Sequence, residues 1–88
     1  MTYEVVLAPP ARRALATGLP PSVAAAVVAF LSGPLAEDPF RVGKPLRNEL
    51  EGTWSARRGE YRVIDTIHAR VVTVTVLTIA HRRDAYRP

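Results

Sequence analysis

Two runs rich in β-branched residues, Tyr61 to Ile67 and Val71 to Ala80, are separated only by His68, Ala69 and Arg70. Parallel strands need a crossover of a dozen or more residues, so a connection this tight makes the two runs antiparallel neighbours. Alternation along the first run puts Tyr61, Val63 and Ile67 on one face and Arg62, Ile64 and Thr66 on the other. In the second run the apolar phase follows Val72, Val74 and Val76, then shifts to Leu77 and Ile79. Such a shift predicts a β-bulge, or a strand covered on both faces.

The remaining elements arrange themselves around this hairpin. Thr2 to Leu7 reads as a first strand, stopped by Pro9 and Pro10. Pro10 then opens a helix to Thr17 that ends at Gly18. A second proline pair, Pro20 and Pro21, opens a helix over Ser22 to Ser32, closed by Gly33 and Pro34. Its Val23, Val27, Phe30 and Leu31 recur at helical spacing, while the opposite face is mostly alanine with hardly a charge. Such a helix pair wants cover on two sides. From Ala36 to Glu51 the spacing reads as a loop leading into a short strand near Lys44 to Leu46. Gly52 marks a turn, Thr53 to Arg58 a strand, and Gly59 the next turn. At 88 residues the chain has room for one core. The expectation is a single α+β domain over residues 1–88: an N-terminal strand, a two-helix hairpin, then a mostly antiparallel, twisted sheet of three or four strands, with the helices on one face.

Composition narrows the function. No cysteine is present, which excludes a disulfide framework and a thiolate metal site and fits a reducing, cytoplasmic setting. The start, Met1-Thr2-Tyr3-Glu4, is unlike a signal peptide. The longest apolar stretch, Val23 to Leu31, is far short of the roughly 20 residues that span a bilayer, so a membrane role is not expected. Charge is uneven. Residues 1–40 carry two basic and three acidic side chains (2 − 3 = −1), residues 41–88 ten and five (10 − 5 = +5). Eleven of the twelve basic residues are arginine, and Lys44 is the only lysine. Arginine forks grip phosphate bidentately, so the basic half suits nucleic acid or an acidic protein, or simply a solvated surface.

No metal-ligand spacing, glycine-rich phosphate loop or nucleophile elbow is present. What remains is a set of groups at the ends of the later strands: Arg57 and Arg58 close one, Arg62 opens the next, and His81, Arg82, Arg83 and Tyr86 follow the last. If these strands are neighbours, the side chains can meet on one face. That set suits metal-free RNA cleavage, in which the ribose 2′-hydroxyl attacks its own phosphate and arginines stabilise the growing charge. His81 is the natural proton carrier, since arginine stays charged.

The stretch from Lys44 to Ile64, KPLRNELEGTWSARRGEYRVI, resembles the central signature of RelE-type toxins, K-x-L followed by L-x-G-x-W/Y-x-x-R-x-G-x-Y-R-V/I/L. The ending from His81 to Tyr86, HRRDAY, is similar to the family's closing H/K-R-x-x-x-Y. With the order of elements, the resemblance covers nearly the whole chain and points to the RelE branch of the RelE/ParE toxins. It implies a RelE-like fold and a ribosome-dependent endoribonuclease without cofactor or metal, the toxin of a type II toxin–antitoxin pair, which cuts messenger RNA in the 30S A site and leaves a 2′,3′-cyclic phosphate. It further implies that Arg62 and Arg82 contact the scissile phosphate, that Arg57 takes the place of a basic catalytic side chain, and that His81 stands where relatives carry lysine or histidine. Tyr86 matches the terminal tyrosine that stacks on or orients the substrate. Lys44, Arg47, Arg58, Arg83 and Trp54 are candidates for contacts to RNA or ribosome, and a cognate antitoxin, in a hetero-oligomeric complex, is the expected protein partner. Two departures stand out: Asp65 replaces an aromatic residue and so could reshape the groove, and no second lysine accompanies Arg57, which moves proton transfer toward His81.

Plainer readings compete at several positions. Trp54 fits a core anchor better than a base-stacking ring, and Tyr61 shares a face with Val63 and Ile67. Arg62 could pair with Glu60 or Asp84, and Asp84 could instead orient His81 or pair with Arg82 or Arg83. His81 could be a strand-end histidine bonded to a carbonyl. His68 reads as exposed, and Arg12 and Arg13 as a solvated helix face. Glu49 or Glu51 is a lesser candidate for a carboxylate base. At the level of function, the alternatives are a ParE-like inhibitor of DNA gyrase, or a relic that only binds its antitoxin; the H-R-x-x-x-Y ending favours RelE.

Overall fold

The computed structural model of the protein describes residues 2–85. Strand β1, Glu4–Leu7, leads into helix α1, Pro9–Arg13, which opens on its proline pair because a first-turn residue needs no amide hydrogen. A wider helical turn, Ala14–Gly18, carries α1 to its end. Helix α2, Pro21–Phe30, also opens on proline. It does not stop at Gly33 and Pro34 as expected: a second wide turn, Leu31–Leu35, carries the helical path through Pro34. Leu31 and Leu35 in this turn are buried, and tertiary packing outweighs the poor local propensity.

The loop expected ahead of the short strand near Lys44 contains helix α3, Pro39–Val42. Its signal was the Asp38-Pro39 pair: the Asp38 carboxylate accepts the Arg41 N–H at 3.3 Å, an N-cap ahead of a first-turn proline. Strands β2 (Gly43–Pro45), β3 (Trp54–Arg58), β4 (Tyr61–His68) and β5 (Thr73–His81) follow. The last begins two residues later than expected. Ala69–Val71 forms a tight helical turn, and Val72 takes a left-handed conformation at φ 49° before the strand can start.

The five strands form one sheet in the order β1-β5-β4-β3-β2. β1 runs parallel to β5, as its helical crossover allows, and every other pair is antiparallel. The expected α+β architecture is therefore present, with β1 added to the antiparallel run as an edge. The predicted bulge is present too: Ile64 pairs with Thr78 but Asp65 with Val76, leaving Leu77 as the extra residue. One face of the sheet is packed. Ala56, Val63, Val74, Val76 and Ile79 meet Ala11, Val27, Leu31 and Leu35 of the helical layer. The register puts Ser55, Arg57, Arg62, Ile64, Thr78 and Ala80 on the other face. Among the described residues no helix is long and apolar enough to cross a membrane.

Candidate functional site

The unpacked face of the sheet holds the strongest concentration of unbalanced charge. Gly59, at φ 60°, makes the tight turn that joins β3 to β4, and the turn sets a register in which Arg57 lies directly opposite Arg62. Cross-strand neighbours stand about 4.5–5.5 Å apart at Cβ, and like charges so placed destabilise a sheet. No carboxylate among the described residues pairs with either guanidinium. Arg62 finds only the Tyr61 carbonyl, to which its Nη1 donates at 3.5 Å.

On the edge strand, Lys44 lies opposite Ser55, which alternates onto the same face as Arg57. Lys44, Ser55, Arg57 and Arg62 line a groove of about 410 Å³ together with apolar Val42 and Leu46. Three cations around one open groove form a receptor for an anion with several oxygens.

Arg82 extends this cationic end of the sheet. Its backbone N–H donates to the Glu60 carbonyl at 2.7 Å, one step past the end of β5, and so continues the ladder in phase with Ala80, the partner of Arg62. Its side chain is engaged: Nε sits 2.8 Å from Glu60 Oε2, in the ion pair the sequence reading had weighed for Arg62. Both partners are more than half exposed, so water screens the pair and an incoming phosphate can compete for Arg82.

His81 does not join them. It pairs with Tyr61 across the strands, in phase with Ile79 and Val63 on the packed side, and its ring stands edge-on to Tyr61 at 5.5 Å between centroids. Nδ1 accepts the Arg83 N–H at 3.2 Å, so the neutral ring carries its proton on Nε2. The register puts Arg57 and Arg62 on one face and Arg58 and His81 on the other, His81 because the bulge at Leu77 shifts β5 by one residue.

The other candidates scatter. Trp54 packs edge-on against the exposed Phe40, 5.2 Å between centroids, outside the main core cluster. Arg58 turns toward the helices, where it lines a groove of about 270 Å³ with Val23, Ala26, Val27 and Tyr61. Arg47 is exposed just ahead of the short helical turn at Asn48–Leu50, and Arg83 is exposed in the turn after β5. Tyr86 lies outside the described residues. Asp65 does not reach the groove. It faces the packed side between Trp54 and Val76, 1% exposed, with neither oxygen bonded among the described residues, and burial raises its pKa to about 7. Among the described residues no three histidine or carboxylate side chains gather to hold a metal ion.

Sequence reasoning named Lys44 as a binding residue without seeing it beside Arg57, and missed Ser55 and Glu60 as parts of the site. The register of a three-residue edge strand carries too few side chains to be read in advance.

No protein-family model matches the chain. Among individual proteins, it is 52% identical over 87 residues to toxin RelG of Mycobacterium tuberculosis, covering 99% of both chains. It is 48% identical over 85 residues to toxin RelE of the same organism, covering 97% of this chain and 87% of that one. Among solved structures, the crystal structure of the toxin–antitoxin complex RelBE2 from Mycobacterium tuberculosis contains a chain 50% identical, with a TM-score of 0.88, over 93% of this chain and 100% of that one.

Proposed function

This chain belongs to the RelE toxin family, and from that premise we propose that it is the toxin of a type II toxin–antitoxin pair, an endoribonuclease that cuts messenger RNA in the ribosomal A site. The observation that carries the reading is the opposed pair Arg57 and Arg62, two guanidiniums without carboxylate partners among the described residues, at one groove with Lys44. A phosphodiester in that groove removes their mutual repulsion and receives their hydrogen bonds.

In the reaction, the 2′-oxygen attacks the adjacent phosphorus and the 5′-oxygen departs, which yields a 2′,3′-cyclic phosphate and a 5′-hydroxyl end. Negative charge on the non-bridging oxygens rises toward the transition state. Fixed guanidiniums gain more from that state than from the ground state, which is what lowers the barrier. Arg82 adds a third guanidinium once phosphate displaces Glu60. In-line geometry for the 2′-oxygen demands a bent RNA backbone, and the ribosome is the proposed source of that bend. A cognate antitoxin would silence the toxin by covering its surfaces, the alanine-rich side of α2 among them.

The test is a reconstituted translation assay with purified ribosomes, a defined message and the antitoxin-free protein, with cuts mapped by primer extension. Cuts within the A-site codon that vanish without ribosomes are expected. An intact message would refute the nuclease reading, and blocked supercoiling by purified gyrase in a parallel assay would move the protein to ParE-like inhibition.

A further inference from the structure

Every arginine in the groove is charged at any working pH and gives up its proton poorly. Cleavage nevertheless needs a proton delivered, because a 5′-alkoxide is a poor leaving group. Resting on the nuclease reading above, we propose that Lys44 is the catalytic acid, its ammonium donating a proton to the departing 5′-oxygen.

Position comes first. Lys44 lies opposite Ser55 on β2, and Arg57 is two residues further along β3 on the same face. Diagonal neighbours of this kind stand about 7–8 Å apart, within the combined reach of a lysine and an arginine side chain. A phosphate gripped by Arg57 and Arg62 therefore comes within contact of Nζ of Lys44, which lines the same groove.

Elimination supports the same residue. His81, the first candidate proton carrier, faces the packed side of the sheet, with its ring against Tyr61. Glu49, Glu51 and Glu60 do not line the groove. Asp65 is buried on the packed side. Lys44 is the only lysine of the chain, and no carboxylate among the described residues neutralises it. It is also exposed, so its amine is within reach of a bound phosphodiester and of solvent.

The step balances. The 2′-oxygen–phosphorus bond forms and the phosphorus–5′-oxygen bond breaks. The 2′-hydroxyl proton passes to water, one Nζ proton passes to the 5′-oxygen, and the amine is reprotonated from solvent. No oxidant or metal enters.

Lys44→Arg tests this, because it keeps the charge and the phosphate contact but removes the transferable proton. Two messages are compared on ribosomes, one with an ordinary A-site linkage and one with sulfur in place of the bridging 5′-oxygen. A thiolate leaves without protonation. Lys44→Arg should cut the ordinary linkage about 100-fold more slowly than the parent protein, in the range typical of general acid catalysis, and the sulfur linkage within about threefold. Unchanged Trp54 fluorescence would report the intact fold. A parent-like rate on the ordinary linkage would overturn the assignment, and so would equal slowing on both linkages, which marks a positioning role. A parent protein that cuts neither message would overturn the nuclease reading, and this assignment with it.

Discussion

Replacing Asp65 by asparagine should make the protein more stable at neutral and alkaline pH. The carboxyl lies on the packed side of β4, 1% exposed and without a hydrogen-bond donor among the described residues. Loss of hydration raises its pKa from 3.8 to about 7. The folded state thus binds this proton more tightly than the unfolded chain does. Below pH 3.8 both states are protonated and the group is neutral in the balance. From there to about pH 7 only the folded state keeps the proton, so stability falls as pH rises, by up to ~1.4 kcal/mol per unit. Above about pH 7 the penalty is complete, and a rise of about three units corresponds to ~4 kcal/mol. That is a large part of the ~4–13 kcal/mol usual for a domain of 88 residues.

Asparagine keeps the size and hydrogen-bonding character of the protonated acid but cannot ionise. Asp65→Asn should therefore match the parent at the acid end and stay at that level as pH rises. Urea unfolding followed by the single tryptophan, Trp54, at about pH 5 and about pH 8 measures this. The parent should lose ~2.5 kcal/mol between those two conditions and the variant far less. A parent protein equally stable at both would mean that the ionised carboxylate finds a partner in the folded state, and the burial account would fail.

Other substitutions probe the two faces separately. Arg62→Ala should lower cleavage on the ribosome by about 10²–10³-fold, the usual loss of one charge-stabilising donor, while antitoxin binding measured by calorimetry stays within a few-fold. Arg57→Ala should lower cleavage yet raise unfolding stability by ~0.2–1 kcal/mol, because it removes a like charge opposite Arg62; lower stability would show that the pair is not repulsive. Val72→Asn should raise the urea midpoint by ~1 kcal/mol in free energy, since a β-branched residue at φ 49° is strained where asparagine is tolerated. Ala26→Arg, which fills the groove between α2 and the β3–β4 turn, should abolish antitoxin binding and leave A-site cutting intact. Retained binding would place the antitoxin elsewhere.

The hairpin, the antiparallel order and the helical layer were legible because each rests on short-range constraints: a three-residue connection, proline pairs, and apolar residues at fixed spacing. Helix α3 was missed because four residues carry no periodicity, although Asp38 and Pro39 held a cap signal. Pro34 misled because a buried Leu31 and Leu35 can hold a helical path through a residue that local propensity rejects. The site was half legible. Arg57 and Arg62 follow from a turn at Gly59, but Lys44 depends on the register of an edge strand, and Asp65 on burial.

The placement of His81 was itself written in the sequence. The apolar phase of β5 moves from Val74 and Val76 to Leu77 and Ile79, and continuing that phase by two residues reaches His81. A strand without the bulge would keep Val76 inward, then turn Ile79 and His81 onto the open face, beside Arg62. The extra residue at Leu77 reverses this: Ile79 completes the core with Val63, His81 packs on Tyr61, and only Thr78 and Ala80 remain next to Ile64 and Arg62. One inserted residue thus both closes the core and takes His81 off the face on which the charge is set, and under the assignment proposed above it leaves proton transfer to the far edge of the sheet, at Lys44.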